Sequence, residues 1–180
     1  MTVQKIRKIS TFKLILALLA IIIIVVLLVL AYLFLTPKLI NIGSTNMEPT
    51  LHKGSTVTFL PYAAFSYQPE RWDVVLYQNK GGDNSIGRVV GMPQETIQLI
   101  DGELYIHDAI QPIPTELAQA GIRYRAADEF RTKKEGKIVT HKTGPDEYFI
   151  LGDNTAASFD SRYLGPVPRE SIISSVKKLY

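Results

Sequence analysis

The stretch Thr96-Ile97-Gln98-Leu99-Ile100-Asp101-Gly102-Glu103-Leu104-Tyr105-Ile106 reads as a β-hairpin. Asp101-Gly102 is a strong two-residue turn signal, because a type I′ turn needs positive φ at its central positions. Working outward, short β-rich runs recur on both sides. Upstream are Thr56 to Leu60, which alternates and is rich in β-branched residues, then Val74 to Tyr77 and Ile86 to Val90. Downstream are Ile138 to Thr140, Tyr148 to Leu151 and a final run from Ser174 to Leu179. Regularly spaced short strands divided by polar turns predict a mainly β fold, an antiparallel, barrel-like domain over residues 37–180. Helix formers between Pro114 and Ala127 (Glu116, Leu117, Ala118, Gln119, Ala120) predict one short helix. Pro168 to Ile173 reads as a turn, helical or not, and the charged Asp128 to Lys137 as a solvated excursion.

Ahead of this domain lies a segment of another kind. From Leu14 to Leu35 every residue is apolar apart from Tyr32. As a helix it would be roughly 33 Å long, enough to cross a hydrocarbon core of about 30 Å. It exceeds the apolar region of a cleaved signal peptide, and no small-x-small cleavage site follows. Residues 14–36 are therefore expected to form a transmembrane helix. Lys5, Arg7, Lys8 and Lys13 precede it and only Lys38 follows closely. Positive charge stays inside, so residues 1–13 are expected in the cytoplasm and the domain outside. Tyr32 and Phe34 would anchor the outer interface, and Thr36-Pro37 would end the helix.

Charge excludes one class of partner. The 180-residue chain has a net charge of +3 and a pI near 9. Yet Lys5, Arg7, Lys8, Lys13 and Lys38 all lie between Met1 and Lys38, where there is no acidic residue. Removing those five from the 20 basic residues leaves 15 against 17 acidic, with no basic stripe for phosphates, so no nucleic-acid partner is expected. The absence of cysteine excludes disulfides and thiolate chemistry. His52, His107 and His141 are scattered without ligand spacing, so neither a metal nor another cofactor is expected.

Three blocks carry the functional reading. Gly43-Ser44-Thr45-Asn46-Met47-Glu48-Pro49-Thr50-Leu51 resembles the nucleophile segment of type I signal peptidases, Ser-x-Ser-Met-x-Pro-Thr-Leu. Gly152-Asp153-Asn154-Thr155-Ala156-Ala157-Ser158-Phe159-Asp160-Ser161-Arg162-Tyr163-Leu164-Gly165-Pro166-Val167 is similar to the family's Gly-Asp-Asn block, with Thr155 where an arginine is usual. Arg88-Val89-Val90-Gly91-Met92-Pro93 is similar to the strand that follows the family's catalytic lysine. The resemblance covers the anchor and nearly all of the domain, in order.

Both chemical positions depart from the family. Asn46 stands where the nucleophilic serine belongs, and an amide carries no hydroxyl to deprotonate. Gly87 stands where the lysine base belongs, and the adjacent Arg88 stays protonated and cannot replace it. The resemblance implies remnant pocket roles for Ser44, of the oxyanion hole, and Ser158, which orients the family's lysine. It implies an ion pair of Asp160 with Arg162, and a peptide-facing role for Met47, Pro49 and Arg88; Met47 and Pro49 read equally as residues that shape the loop toward the membrane side or as simple packing. The stretch Pro61, Tyr62, Phe65, Tyr67, Pro69 and Trp72 is read as either core or bilayer-facing aromatics.

The expected function is that of a membrane-anchored, non-cleaving protein that binds peptide or protein segments by strand addition. Such signal-peptidase-like proteins occur in Gram-positive pilus gene clusters, so the resemblance implies pilin or other secreted segments, and a sortase, as partners at the cell membrane. The rival expectation is an active peptidase with a rearranged dyad of Ser44 and Lys80. A third is a membrane anchor with no groove. Self-cleaving repressors share the β-domain chemistry but lack a span and would need the same dyad.

Overall fold

A computed structural model describes residues 11–61, 67–127 and 140–178. The chain divides into two compact units at Thr36/Pro37. The first holds helix α1 (Thr11–Leu35), 25 residues with no buried side chain. Its length of roughly 37 Å and its composition suffice to cross a membrane. The last turn closes with Thr36 N–H donating to Tyr32 O at 3.1 Å, just before Pro37.

The second unit is built from two antiparallel sheets. The larger has the order β1 (Lys38–Asn41), β2 (Thr56–Phe59), β11 (Ile172–Lys178), β3 (Val74–Gln78), β4 (Asn84–Gly91), β9 (Glu147–Leu151), β10 (Val167–Pro168). The smaller has the order β7 (Ala109–Ile110), β6 (Glu103–Ile106), β5 (Thr96–Ile100), β8 (Thr140–Lys142). The fold is mainly β and antiparallel.

The Asp101-Gly102 hairpin forms with φ of 51° and 82° at its two central residues, and Ile100 pairs with Glu103. Gly102→Ala is expected to lower stability by about 1 kcal/mol, because an L-residue is strained at that φ. Gly43→Ala, with open space around its Cβ and an ordinary φ, should be neutral or slightly stabilising in the same thermal melts.

Strand β9 explains where the site falls. Tyr148-Phe149-Ile150-Leu151 is buried on both faces. Phe149 and Leu151 join one core cluster with Val90, Ile97, Leu99 and Leu104, whereas Tyr148 and Ile150 join a second with Val75, Tyr77 and Val89. A strand held on both sides fixes the turn that follows it, Gly152-Asp153-Asn154. A third cluster of Ile42, Met47, Leu51 and Val57 secures the loop after β1.

Several boundaries differ from the sequence reading. Strand β1 was not anticipated, since Lys-Leu-Ile-Asn is a short and mostly exposed edge strand. The expected helix between 114 and 127 is only α2 (Thr115–Gln119), which starts after Pro114 and ends before Gly121 at φ 78°. The last strand starts two residues early, at Ile172, directly after a 3-10 turn at Arg169–Ser171. Lys5, Arg7, Lys8, Tyr62, Phe65, Ile138, Val139, Leu179 and the charged 128–137 segment lie outside the described residues.

Candidate functional site

The three blocks of sequence converge. The Gly43–Leu51 loop meets the turn after β9 through its backbone: Asn154 N–H donates to Asn46 O at 2.9 Å, and Asn154 Nδ2 donates to Thr45 O at 3.1 Å. Gly152 lies at the closest approach. A Cβ there would fall 2.5 Å from Asn46 O and 2.6 Å from Ser158 Cβ, so only glycine lets the two segments touch.

Beneath this contact lies a buried ionic cluster. Arg88 Nε donates to Asp153 Oδ1 at 2.8 Å, and a second guanidinium nitrogen donates to Oδ2. Tyr124 OH donates to Asp153 Oδ1 at 2.9 Å, and Thr50 Oγ1 donates to Oδ2. Arg88 also reaches Trp72 O at 2.8 Å. Burial alone would lower the Arg88 pKa, but its hydrogen bond and charge contact with Asp153 raise it. Burial first, then the Asp153 charge, pushes the Tyr124 phenol up, so it stays a neutral donor. Next to this cluster Asp160 and Arg162 form a buried, two-pronged ion pair, with Nε–Oδ1 and Nη2–Oδ2 both at 2.8 Å. The same carboxylate accepts from Gly152 N–H at 3.0 Å.

The two chemical positions have distinct surroundings. Asn46 is half-buried; its Nδ2 donates to Ile86 O at 2.7 Å, and Ser44 Oγ donates to its Oδ1. Its amide thus ties the loop to β4. Gly87 is buried in β4. A Cβ on it would lie 2.5 Å from Ile150 Cγ2, 3.2 Å from Leu151 O and 3.4 Å from Tyr77 Cε1. The space a side chain would need is occupied by Ile150. The neighbouring Tyr77 phenol is pushed up to about 12, by burial first and then by the Asp160 charge.

No described lysine, histidine or carboxylate hydrogen-bonds Ser44 or Asn46. Lys80 is exposed in the β3–β4 turn, and its Nζ donates to Leu164 O, in the segment before β10. Ser44 and Lys80 are therefore not brought together. Ser158 packs against Gly152 beside Asn46.

Two of the expected peptide-facing residues face elsewhere. Met47 is fully buried in the third core cluster, which apolar packing of a long flexible side chain explains. Arg88 is buried and committed to Asp153, Trp72 and Thr50, because a guanidinium away from water needs its charge paired. For Met47 the packing reading holds and the peptide-facing one is corrected; for Arg88 the peptide-facing assignment is corrected, since it braces the loop. Pro49 alone of the three is exposed. Sequence reasoning missed Tyr124 and Ile150. Tyr124 lay in a stretch read as helix, and no local pattern announces a partner 29 residues away.

The amino-acid sequence matches a known family along almost its whole length. The family model described as signal peptidase, peptidase S26, matches residues 12–180. The chain is 28% identical over 137 residues to signal peptidase I V of Bacillus subtilis (strain 168), covering 75% of this chain and 80% of that protein. It is 32% identical over 149 residues to a signal peptidase I of Bacillus amyloliquefaciens, covering 77% and 71%. The crystal structure of a signal peptidase I from Enterococcus faecalis V583 is 26% identical, with a TM-score of 0.48, covering 61% of this chain and 97% of that one.

Proposed function

The chain belongs to the signal peptidase, peptidase S26 family, and from that premise we propose that it is a member that binds extended polypeptide segments without cutting them. The observation that carries this reading is the pair Asn46 and Gly87. The first offers an amide where acyl transfer needs a hydroxyl. The second has no side chain, and Ile150 fills the space beside it. Serine and lysine act as a unit in such chemistry, and removing a nucleophile and base that do so slows catalysis by about 10⁴-fold or more.

A route for binding remains. Strand β3 pairs β4 from Asn84 to Arg88, whereas β9 pairs it only from Arg88 to Gly91. Among the described residues, Asn84 to Gly87 therefore has one edge without a strand partner. Asn46 reaches that edge at Ile86 O. An extended segment laid there exchanges the Asn46 contact for its own N–H, the chemistry of strand addition. The resemblance to signal-peptidase-like proteins of pilus gene clusters supports pilin or other secreted segments as the ligand, with a sortase as co-worker. The span and the flanking positive charge support a single-pass protein of the cell membrane with residues 37–180 outside.

The test is incubation of the full chain in liposomes with a signal-peptide-bearing precursor and with a labelled peptide cut from it. The expected result is saturable peptide binding and no cleavage product. Cleavage by wild type that disappears in Ser44→Ala would overturn the reading in favour of a relocated serine, the activity for which the chain's relatives are named.

A further inference from the structure

We propose that the cavity between the β3–β4 turn and the segment leading into β10 binds a small apolar carboxylate, presented either as a free acid or as the C-terminus of a polypeptide. The cavity measures about 130 Å³, and its wall is mostly apolar, built by Leu164, Pro166, Val167 and the Tyr77 ring. A closed apolar cavity of about 150 Å³ takes up benzene, so this one has room for a group of about five carbons. No residue from Asn84 to Gly87 lines it, so the site is separate from the free edge of β4 and does not rest on peptide binding there.

Two donors at this cavity are left over from the fold. Tyr77 is only 4% exposed, yet among the described residues its hydroxyl has no hydrogen-bond partner. A buried phenol normally finds one. Burial and then the Asp160 charge keep it protonated at neutral pH, so it is available as a donor. Lys80 supplies the second donor. Its Nζ donates to Leu164 O and lies 3.5 Å from where a Cβ on Gly165 would be. That contact occupies one of three ammonium N–H groups. Lys80 enters none of the ion pairs among the described residues.

Charge and shape together select the occupant. Most other polar side chains of the wall are already engaged. Asn79 Oδ1 accepts from Gly81 and Asp83 N–H, Gln78 Nε2 donates to Gly82 O, and Ser161 Oγ accepts from Ile150 N–H. No carboxylate lines the cavity, and Asp160, whose charge reaches Tyr77, is neutralised by Arg162. An unpaired O–H, an unpaired cation and an apolar wall fit an anionic acceptor that carries a short hydrocarbon group. Inorganic phosphate would leave the wall unmatched, and a plain hydrocarbon would leave the phenol without a partner. Water alone is the competing occupant; it satisfies the phenol but gains nothing from the apolar wall.

The experiment follows the fluorine NMR signal of 4,4,4-trifluorobutanoate added to the full chain in lipid nanodiscs, with empty nanodiscs as the reference. Saturable broadening is expected with a Kd of about 1 mM, the strength open to so small a ligand. Lys80→Met and Tyr77→Phe nearly keep the shape of each side chain. They are expected to weaken binding about tenfold and about threefold, with melting temperatures close to wild type. The neutral 4,4,4-trifluorobutanamide should bind at least about tenfold more weakly than the acid. No saturable binding up to about 20 mM would mean that the cavity holds water only, and would overturn the proposal. So would an amide that binds as well as the acid, or binding that both variants leave unchanged. Competition then identifies the source of the carboxylate. Displacement of the probe by a hexapeptide ending in Ala-Leu, but not by its C-terminal amide, supports a polypeptide C-terminus. Displacement by isovalerate and by neither peptide supports a free acid.

Discussion

The triple variant Asn46→Ser/Gly87→Lys/Ile150→Ala is expected to cut a signal-peptide-bearing precursor in liposomes at least about 10³-fold faster than wild type. Asn46→Ser returns a hydroxyl to the loop, and Gly87→Lys returns an amine. The third change is needed because of packing. A Cβ at position 87 would sit 2.5 Å from Ile150 Cγ2, well inside van der Waals contact. Ile150 is β-branched and fully buried beside Val75, Tyr77 and Val89, so its rotamer has little freedom to yield. The double variant Asn46→Ser/Gly87→Lys is therefore expected to lose about 1–3 kcal/mol of stability to overpacking and to cut poorly. Truncating Ile150 makes room for the lysine stem, which refills part of the space. The apolar wall of Val75, Val89 and Tyr77 then disfavours the charged amine and moves its pKa toward neutrality. Gel analysis of the precursor, with thermal melts of all three proteins, separates the cases. A triple variant that is folded but silent would reject the assignment of Asn46 and Gly87 to the two chemical positions. A double variant that cuts as fast as the triple would show that Ile150 is no obstacle.

How much of this was legible beforehand follows from the range of the interactions involved. The β5–β6 hairpin could be read residue by residue because its turn is set by two adjacent residues, Asp101 and Gly102, with positive φ. The membrane-length helix was legible for a similar reason: it depends on composition alone, and within the described residues α1 (Thr11–Leu35) covers the whole expected run from Leu14 to Leu35. Family pattern brought the Gly43–Leu51 loop, β4 and the Gly152-Asp153-Asn154 turn into one neighbourhood. It could not say which side chains point into a groove and which into the core. Met47 and Arg88 went inward because apolar bulk and a paired charge both favour burial, and only the three-dimensional register decides that. Ile150 was invisible as a site residue, since Tyr148 to Leu151 reads as a plain buried strand. Its importance arises from the missing side chain of Gly87 on the adjacent strand.

Asp153→Ala is expected to cost about 3–5 kcal/mol of folding stability, the range for leaving a buried charge without its partner. Both side chains are nearly sealed from water: 7% exposed for Arg88 and 0% for Asp153. A guanidinium cannot shed its proton to relieve the loss. Asp153 also accepts from Tyr124 and Thr50, so the substitution strands two further donors. Asp153→Asn keeps the shape but brings an NH₂ group among donors, and should fall between alanine and wild type. Tyr124→Phe removes one hydrogen bond and should cost about 1 kcal/mol. Thermal melts of the full chain in detergent should rank the three in that order, with the alanine variant lower by roughly 10 °C or more. The loss should extend to binding, because Thr50 is the tether through which Asp153 holds the Gly43–Leu51 loop against β4. If Asp153→Ala instead melts close to wild type, the ionic cluster is not what joins the three segments. The backbone contact of Asn154 with Asn46, closed over Gly152, would then be the bond that shapes the site.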